Sequence, residues 1–166
     1  MCAQFYPTPP SVVERMLTLA GADSESVLYD LGCGDGGIVV AAARDHNVKK
    51  AVGIERDKRL SSIAARRTAG LDNAKIVNAD YDGVDLSEAT IVTIYQSASE
   101  NARLKRKLLN ELSKGATIVS HAFGFPGWKP SDFQVFREGR RGYRVFVYVV
   151  GFQEPPKGRP ERGSVP

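Results

Sequence analysis

The chain has 166 residues, 42% hydrophobic and 25% charged, with 23 Lys and Arg against 19 Asp and Glu for a formal net charge of +4. That length builds one well-buried core and is too short for two ordinary domains, so a single domain is expected over residues 1–152 and a monomer is favoured. Cys2 and Cys33 are the only cysteines, His46 and His121 stand far apart, and the apolar run Val145–Val150 is far too short for a bilayer; a disulfide framework, a metal cluster and a membrane span are not expected, which points to a soluble cytoplasmic protein.

In chain order, Pro7-Thr8-Pro9 predicts an extended entry. Ser11-Val12-Val13-Glu14 reads as a capping box opening a helix that Gly21 ends, with Val12, Val13, Met16, Leu17 and Ala20 on its inner side. Strands are predicted at about 26–31, 51–55, 74–78, 89–95 and 116–120, alternating with helices near 37–45, 57–69 and 100–113, the pattern of a parallel sheet covered on both faces. After Gly115 the helical period is lost, and the apolar-rich segments 133–137 and 143–150 flank Glu138-Gly139-Arg140-Arg141-Gly142 as a hairpin. The segment 153–166 is proline-rich and charged and reads as a disordered tail.

The stretch Ser26-Val27-Leu28-Tyr29-Asp30-Leu31-Gly32-Cys33-Gly34-Asp35-Gly36 carries the functional argument. A buried strand ends in an acid and three alternating glycines, so the backbone can turn tightly and a ligand can approach it without meeting a Cβ. Gly32 to Gly37 also satisfies the loose dinucleotide fingerprint, but a pyrophosphate there would sit close to Asp30 and Asp35, where like charge costs affinity. A cationic nucleoside reverses the sign, and S-adenosylmethionine (SAM) has a sulfonium and an ammonium and no phosphate. Glu55, 23 residues after Gly32, falls where an acid accepts hydrogen bonds from ribose hydroxyls, which fits NAD and SAM alike.

These residues resemble class I SAM-dependent methyltransferases. The combination of Pro7-Thr8-Pro9, Val12-Val13-Glu14-Arg15-Met16-Leu17, the glycine turn, Leu86-Ser87-Glu88-Ala89-Thr90-Ile91-Val92-Thr93, Val119-Ser120-His121 and Gly127-Trp128 is similar to one subfamily, the small archaeal protein lysine methyltransferases of broad specificity with their bacterial and mitochondrial relatives. The resemblance covers most of residues 4–152. It implies an α/β fold with a doubly wound, mostly parallel seven-stranded sheet ending in an antiparallel hairpin, SAM as cofactor, and Phe5, Tyr6 and Thr8 folded over it. The chain departs from the subfamily at Gly37, where a basic residue is usual, and at Gln96-Ser97-Ala98-Ser99, where a leucine-rich segment is usual.

Ligands of open α/β sheets bind beyond the carboxyl ends of the strands, which selects Asp30 with Gly32 and Gly34, Glu55, Asn78-Ala79-Asp80-Tyr81 and Thr93-Ile94-Tyr95-Gln96. Asp80 is placed either to accept from an adenine amino group or to form a turn, and Tyr81 to stack on the base. Tyr95 either lines the methyl-transfer pocket, as the expected catalytic residue, or fills the core as a strand aromatic. His121 reads as a hydrogen-bonded strand-end residue ahead of a base. The strand-helix core consumes almost the whole chain and leaves no inserted cap over the site, so a site open to a macromolecule is expected, and the subfamily resemblance implies exposed lysines of proteins as the acceptors. Arg103, Lys105, Arg106 and Lys107 with Arg137, Arg140, Arg141 and Arg144 keep nucleic acid in view, without its being favoured: the Asp/Asn-Pro-Pro-aromatic motif of the nucleic-acid amino-methyltransferases is missing. An RNA methyltransferase and a non-catalytic nucleoside-binding module are the alternatives.

Overall fold

The computed structural model describes residues 5–152; the predicted tail from residue 153 and the first four residues lie outside the described residues. The elements are α1 (Pro10–Ala20), β1 (Val27–Leu31), α2 (Gly37–Arg44), β2 (Lys50–Ile54), α3 (Lys58–Thr68), β3 (Ala74–Val77), a 3₁₀ turn (Tyr81–Gly83), β4 (Ile91–Ile94), α4 (Ala98–Glu111), β5 (Thr117–His121), β6 (Asp132–Glu138) and β7 (Arg141–Val149). They form a seven-stranded sheet in the order β3-β2-β1-β4-β5-β7-β6. The first five strands are parallel and β7 lies antiparallel between β5 and β6. The predicted doubly wound sheet with its terminal hairpin is the fold observed.

The helices on one side, α1, α2 and α3, bury Val12, Met16, Leu17, Val39, Ala42 and Ala64 against Leu28, Val119, Val145 and Val147. On the other side α4 buries Leu104 and Leu108 against Leu31, Ile54, Ile94, Ile118 and Tyr148. Each fully buried leucine contributes about 1.5–3 kcal/mol. Strands buried on both faces read as near-continuous apolar runs, which is why β1 and β4 were legible.

Helix ends explain where the expectations shift. Ser11 does not cap α1: the helix begins two residues earlier than that box implies, with Pro9 at the cap and Pro10 in the first turn, and no side chain caps it. Proline has no N–H to leave unsatisfied there and its φ is already helical, so the Ser11–Glu14 box is displaced by Pro10. Asp57 caps α3 by accepting from the Arg59 and Leu60 N–H groups. Ser97 caps α4 by accepting from the Glu100 N–H, so α4 starts at Ala98, earlier than its apolar period suggested. The hairpin loop is only Gly139-Arg140, since Glu138 and Arg141 already pair. Gly139 at φ +59° supplies the left-handed residue a two-residue loop requires.

The Leu86-to-Thr90 motif clamps the amino ends of the central strands, opposite the glycine turn. Glu88 accepts from the Tyr29 hydroxyl and from Lys50, each at 2.5 Å, and Thr90 Oγ1 accepts from the Val27 N–H at 2.9 Å. Among the described residues no helix is long and apolar enough to cross a membrane.

Candidate active site

The chain order reverses between β1 and β4, and a cavity of about 700 Å³ opens beyond their carboxyl ends, where open α/β sheets bind ligands. Its first wall is the glycine turn. The Gly32 and Cys33 N–H groups both donate to the Ile54 carbonyl at 2.9 and 3.0 Å, and the Gly34 N–H donates to Glu55 Oε2 at 3.0 Å. Glu55 Oε1 accepts from the Asp57 N–H at 2.8 Å. A single buried carboxylate thus joins the turn after β1 to the start of α3. Gly34 has φ +55°, and a Cβ there would run into the Phe5 ring. At Gly32 a Cβ would run into the Gln96 amide.

Asp30 is buried and accepts the Thr93 hydroxyl at 2.8 Å. Burial pushes its carboxyl up to about 7; the Thr93 hydrogen bond pulls the other way, and the charges of Glu55 and Asp35 add to the rise. Burial raises the Cys33 thiol also, so this cysteine packs beside Gly53 as a neutral apolar group and not as a nucleophile.

The far wall comes from the loop after β3 and from α4. Asp80 accepts from the Asp82 N–H at 3.0 Å while lining the cavity. The Tyr81 hydroxyl donates to Glu100, and Arg103 lies 5.8 Å from the Tyr81 ring centre while bridging Glu100 and Asp82. At the mouth the Tyr95 and His121 rings lie 4.1 Å apart, with Tyr143 at 6.1 Å from His121. His121 Nδ1 is 3.4 Å from the Thr8 hydroxyl, and burial lowers the imidazole to about 4.

Of the residues expected from sequence, Tyr6, Thr8, Asp30, Gly32, Glu55, Asp80, Tyr81 and Tyr95 line this cavity. Gly34 differs: it is buried under the Phe5 ring. Gln96, expected at the end of its strand, also lines it, whereas sequence reasoning missed Ile38, Leu60 and Phe123 in the lining, and did not foresee Thr93 as the partner of Asp30. Phe123 had no signal, because it reaches the mouth through a backbone reversal at Ala122, φ +66°.

The donor set suits a cationic nucleoside. Asp30, Asp35, Glu55, Asp57 and Asp80 face the cavity with Arg56 as the single basic residue among the described lining, while Ile38, Ile54 and Leu60 offer an apolar slot. Two buried carboxylates beside the half-buried backbone of Gly32 welcome a sulfonium and a ribose and repel a pyrophosphate. Fold and site together are those of a class I SAM-dependent methyltransferase. Within that class, the family model described as the ANTKMT methyltransferase domain matches residues 30–132, and the chain belongs to this family.

A protein-lysine N-methyltransferase of Saccharolobus islandicus (strain REY15A) is 42% identical over 150 residues, covering 89% of this chain and 93% of that protein. The adenine nucleotide translocase lysine N-methyltransferase of Mus musculus is 33% identical over 141 residues; 83% of this chain is covered but only 59% of the mouse protein. Among solved structures, an RNA methyltransferase from Salinibacter ruber in complex with S-adenosyl-L-homocysteine superposes with a TM-score of 0.80 at 38% identity, covering 96% of this chain and all of that one.

Proposed function

We propose that this methyltransferase transfers the methyl group of SAM to the ε-amine of lysine side chains on proteins. The observation that carries the reading is an acid-lined glycine cradle opening onto an aromatic mouth, in a chain similar over nearly its whole length to an archaeal protein-lysine N-methyltransferase. Residues 1–152 act as one domain in this reading.

Glu55 holds the ribose hydroxyls with the lone pairs its two backbone donors leave free. Asp30 faces positive charge, Gly32 provides the close backbone approach while Gly34 gives the turn its room beneath Phe5, Asp80 accepts the adenine amino group, Tyr81 stacks, and Tyr6 with Thr8 closes the near side. When bound, SAM supplies a methyl group already activated on a sulfonium, so the chain needs no nucleophile of its own. Its remaining task is to admit and align a neutral amine. Tyr95 forms an apolar wall that strips water from the incoming lysine, lowering its amine below the ordinary value of about 10.4 so that the proton leaves to solvent before attack.

RNA methylation is the second reading, favoured by the 38% identical structure named as an RNA methyltransferase. Incubation with methyl-labelled SAM and separate pools of protein, RNA and small molecules, followed by tandem mass spectrometry, separates the two. Label on lysine Nζ is expected; label confined to RNA, or to arginine, histidine or carboxyl groups, overturns the lysine reading and leaves the cofactor reading standing.

A further inference from the structure

The cover that α4 gives its side of the sheet stops short of the last two strands. Phe125, Trp128 and Tyr148 pack together under it, but beyond them Phe133 is 45% and Val135 62% exposed. Alternation puts Phe133, Val135 and Arg137 of β6 on one face, opposite Phe146, Arg144 and Gly142 of β7. The Phe133 and Phe146 rings meet at 4.6 Å. A Cβ on Gly124 would touch Phe146 at 3.2 Å, and the neighbouring Phe123 is exposed and lines the cavity mouth. An apolar track therefore runs from the site to the outer strand. It is flanked by arginines at the hairpin end, which projects past His121 because β7 pairs antiparallel to β5 only from Val145 onward.

The positive charge of the hairpin, two of whose arginines, Arg137 and Arg144, lie on this face, is uncompensated. None of Arg137, Arg140, Arg141 or Arg144 makes an ion pair among the described residues. Of the hairpin's acids, Asp132 is turned onto its own strand, accepting the Phe133 N–H at 2.7 Å, and Glu138 pairs in register with Arg141 on the opposite face. Among the described residues β6 is the outermost strand, and its outer edge there offers unpaired backbone groups.

We propose that the β6–β7 face, with Phe133, Val135 and Phe146 at its centre and Arg137 and Arg144 at its rim, docks an extended acidic segment of the protein substrate beside the lysine to be methylated. This rests on the protein-lysine reading above. The occupant follows from the chemistry: an added strand satisfies the edge, its apolar residues cover the two phenylalanines and Val135, and its acids meet the arginines. A twofold copy of the chain would set arginines against arginines. The segment 153–166 carries Lys157, Arg159 and Arg162 against Glu154 and Glu161, the wrong sign. RNA would meet the arginines with its phosphates and stack bases on the phenylalanines, but it would leave the edge of β6 unpaired, which an added strand does not.

The test is fluorescence anisotropy of the full chain with S-adenosylhomocysteine present, using a labelled peptide with one lysine flanked by alternating Glu and Leu, the same peptide with Lys replacing Glu, and a single-stranded RNA oligonucleotide. The acidic peptide is expected to bind about tenfold tighter than its basic counterpart, with the preference weakening as salt rises. Arg137→Glu with Arg144→Glu removes the preference, and Val135→Glu weakens the acidic peptide also, with melting temperature and S-adenosylhomocysteine affinity unchanged. Equal binding of the acidic peptide by wild type and the double variant overturns the proposal. So does RNA binding that the double variant loses while the acidic peptide does not bind, or a dimer that Val135→Glu dissociates in the ultracentrifuge. Mass spectrometry of the same peptides tests the lysine reading separately: methylation without flank preference overturns docking alone, whereas acidic-peptide binding without methylation supports docking and overturns the lysine reading.

Discussion

On the β1–β2 side of the cavity the functional groups come from one short run of chain, Asp30 to Asp57, and are joined through backbone N–H groups. On the β4–β5 side, Tyr95 meets His121 by ring contact and His121 meets Thr8 across 113 positions of sequence. The first half is a hydrogen-bonded cradle of fixed geometry; the second is a packing of rings brought together only by the finished fold. Damage to the cradle should therefore act steeply on cofactor affinity, and damage to the ring cluster in a graded way on transfer.

The largest effect is expected for Gly34→Val. The position needs φ +55°, which a β-branched residue rarely adopts, and the new side chain would drive into the Phe5 ring. Calorimetry should show no SAM binding while circular dichroism shows a folded protein; retained affinity would mean that the cradle is not where the cofactor lies. Glu55→Ala comes next. It removes a charged acceptor worth roughly 1.5–3 kcal/mol to each ligand hydroxyl and leaves the Gly34 and Asp57 N–H groups without their partner. SAM affinity should fall about ten- to a hundredfold, with NAD binding weak before and after.

Asp30 sharpens the comparison through pH. With its carboxyl raised to about 7 by burial, the folded protein binds more protons than the unfolded chain between the ordinary carboxylate range and pH 7. Stability from this group accordingly declines as pH rises through that window. Asp30→Asn removes the buried charge, so its melting temperature at pH 8 should exceed that of the wild type while SAM affinity drops. In the wild type, protonation of Asp30 removes the charge a cationic ligand needs, and affinity should weaken below pH 7, towards about tenfold per unit. A flat affinity profile together with an unchanged Asp30→Asn melting curve would reject this role.

Tyr95→Ala probes the other half. Single-turnover methyl transfer at saturating SAM should slow about tenfold from lost alignment, with SAM affinity within about twofold of wild type. A larger loss of affinity than of rate would place Tyr95 against the cofactor instead.

The same contrast explains what was legible in the sequence. Asp30, the glycines and Glu55 could be read because an apolar strand, a turn and an acid at fixed spacing are local facts, and the parallel sheet followed from alternating periods. The pairing of Thr93 with Asp30, the approach of Gln96 to Gly32 and the arrival of Phe123 at the mouth depend on strand order and on a left-handed Ala122. No period or spacing encodes them. Ser11 misled because a capping pattern is also met by chance, and Pro10 decided where the helix begins.

His121 gives the smallest and most diagnostic effect. It is buried beside Tyr95 and Tyr143, touches the Thr8 hydroxyl, and is held neutral with a value lowered to about 4 by burial. So weak a base cannot usefully take a proton from a lysine amine, whose own value is far higher. Its work is to hold the Tyr95 ring and the Thr8 segment in place, so His121→Ala should lower the transfer rate only about two- to threefold, less than Tyr95→Ala, which removes the wall itself. The rate should still rise from pH 7 towards pH 9 in the variant, because that rise belongs to the substrate amine losing its proton. A variant whose rate no longer rises with pH would instead make His121 the base. Stability supplies an independent check: a histidine buried neutral takes up its proton more readily in the unfolded chain, so the wild type should lose stability as pH falls from about 6.5 to 4, and the variant should lose less over that window.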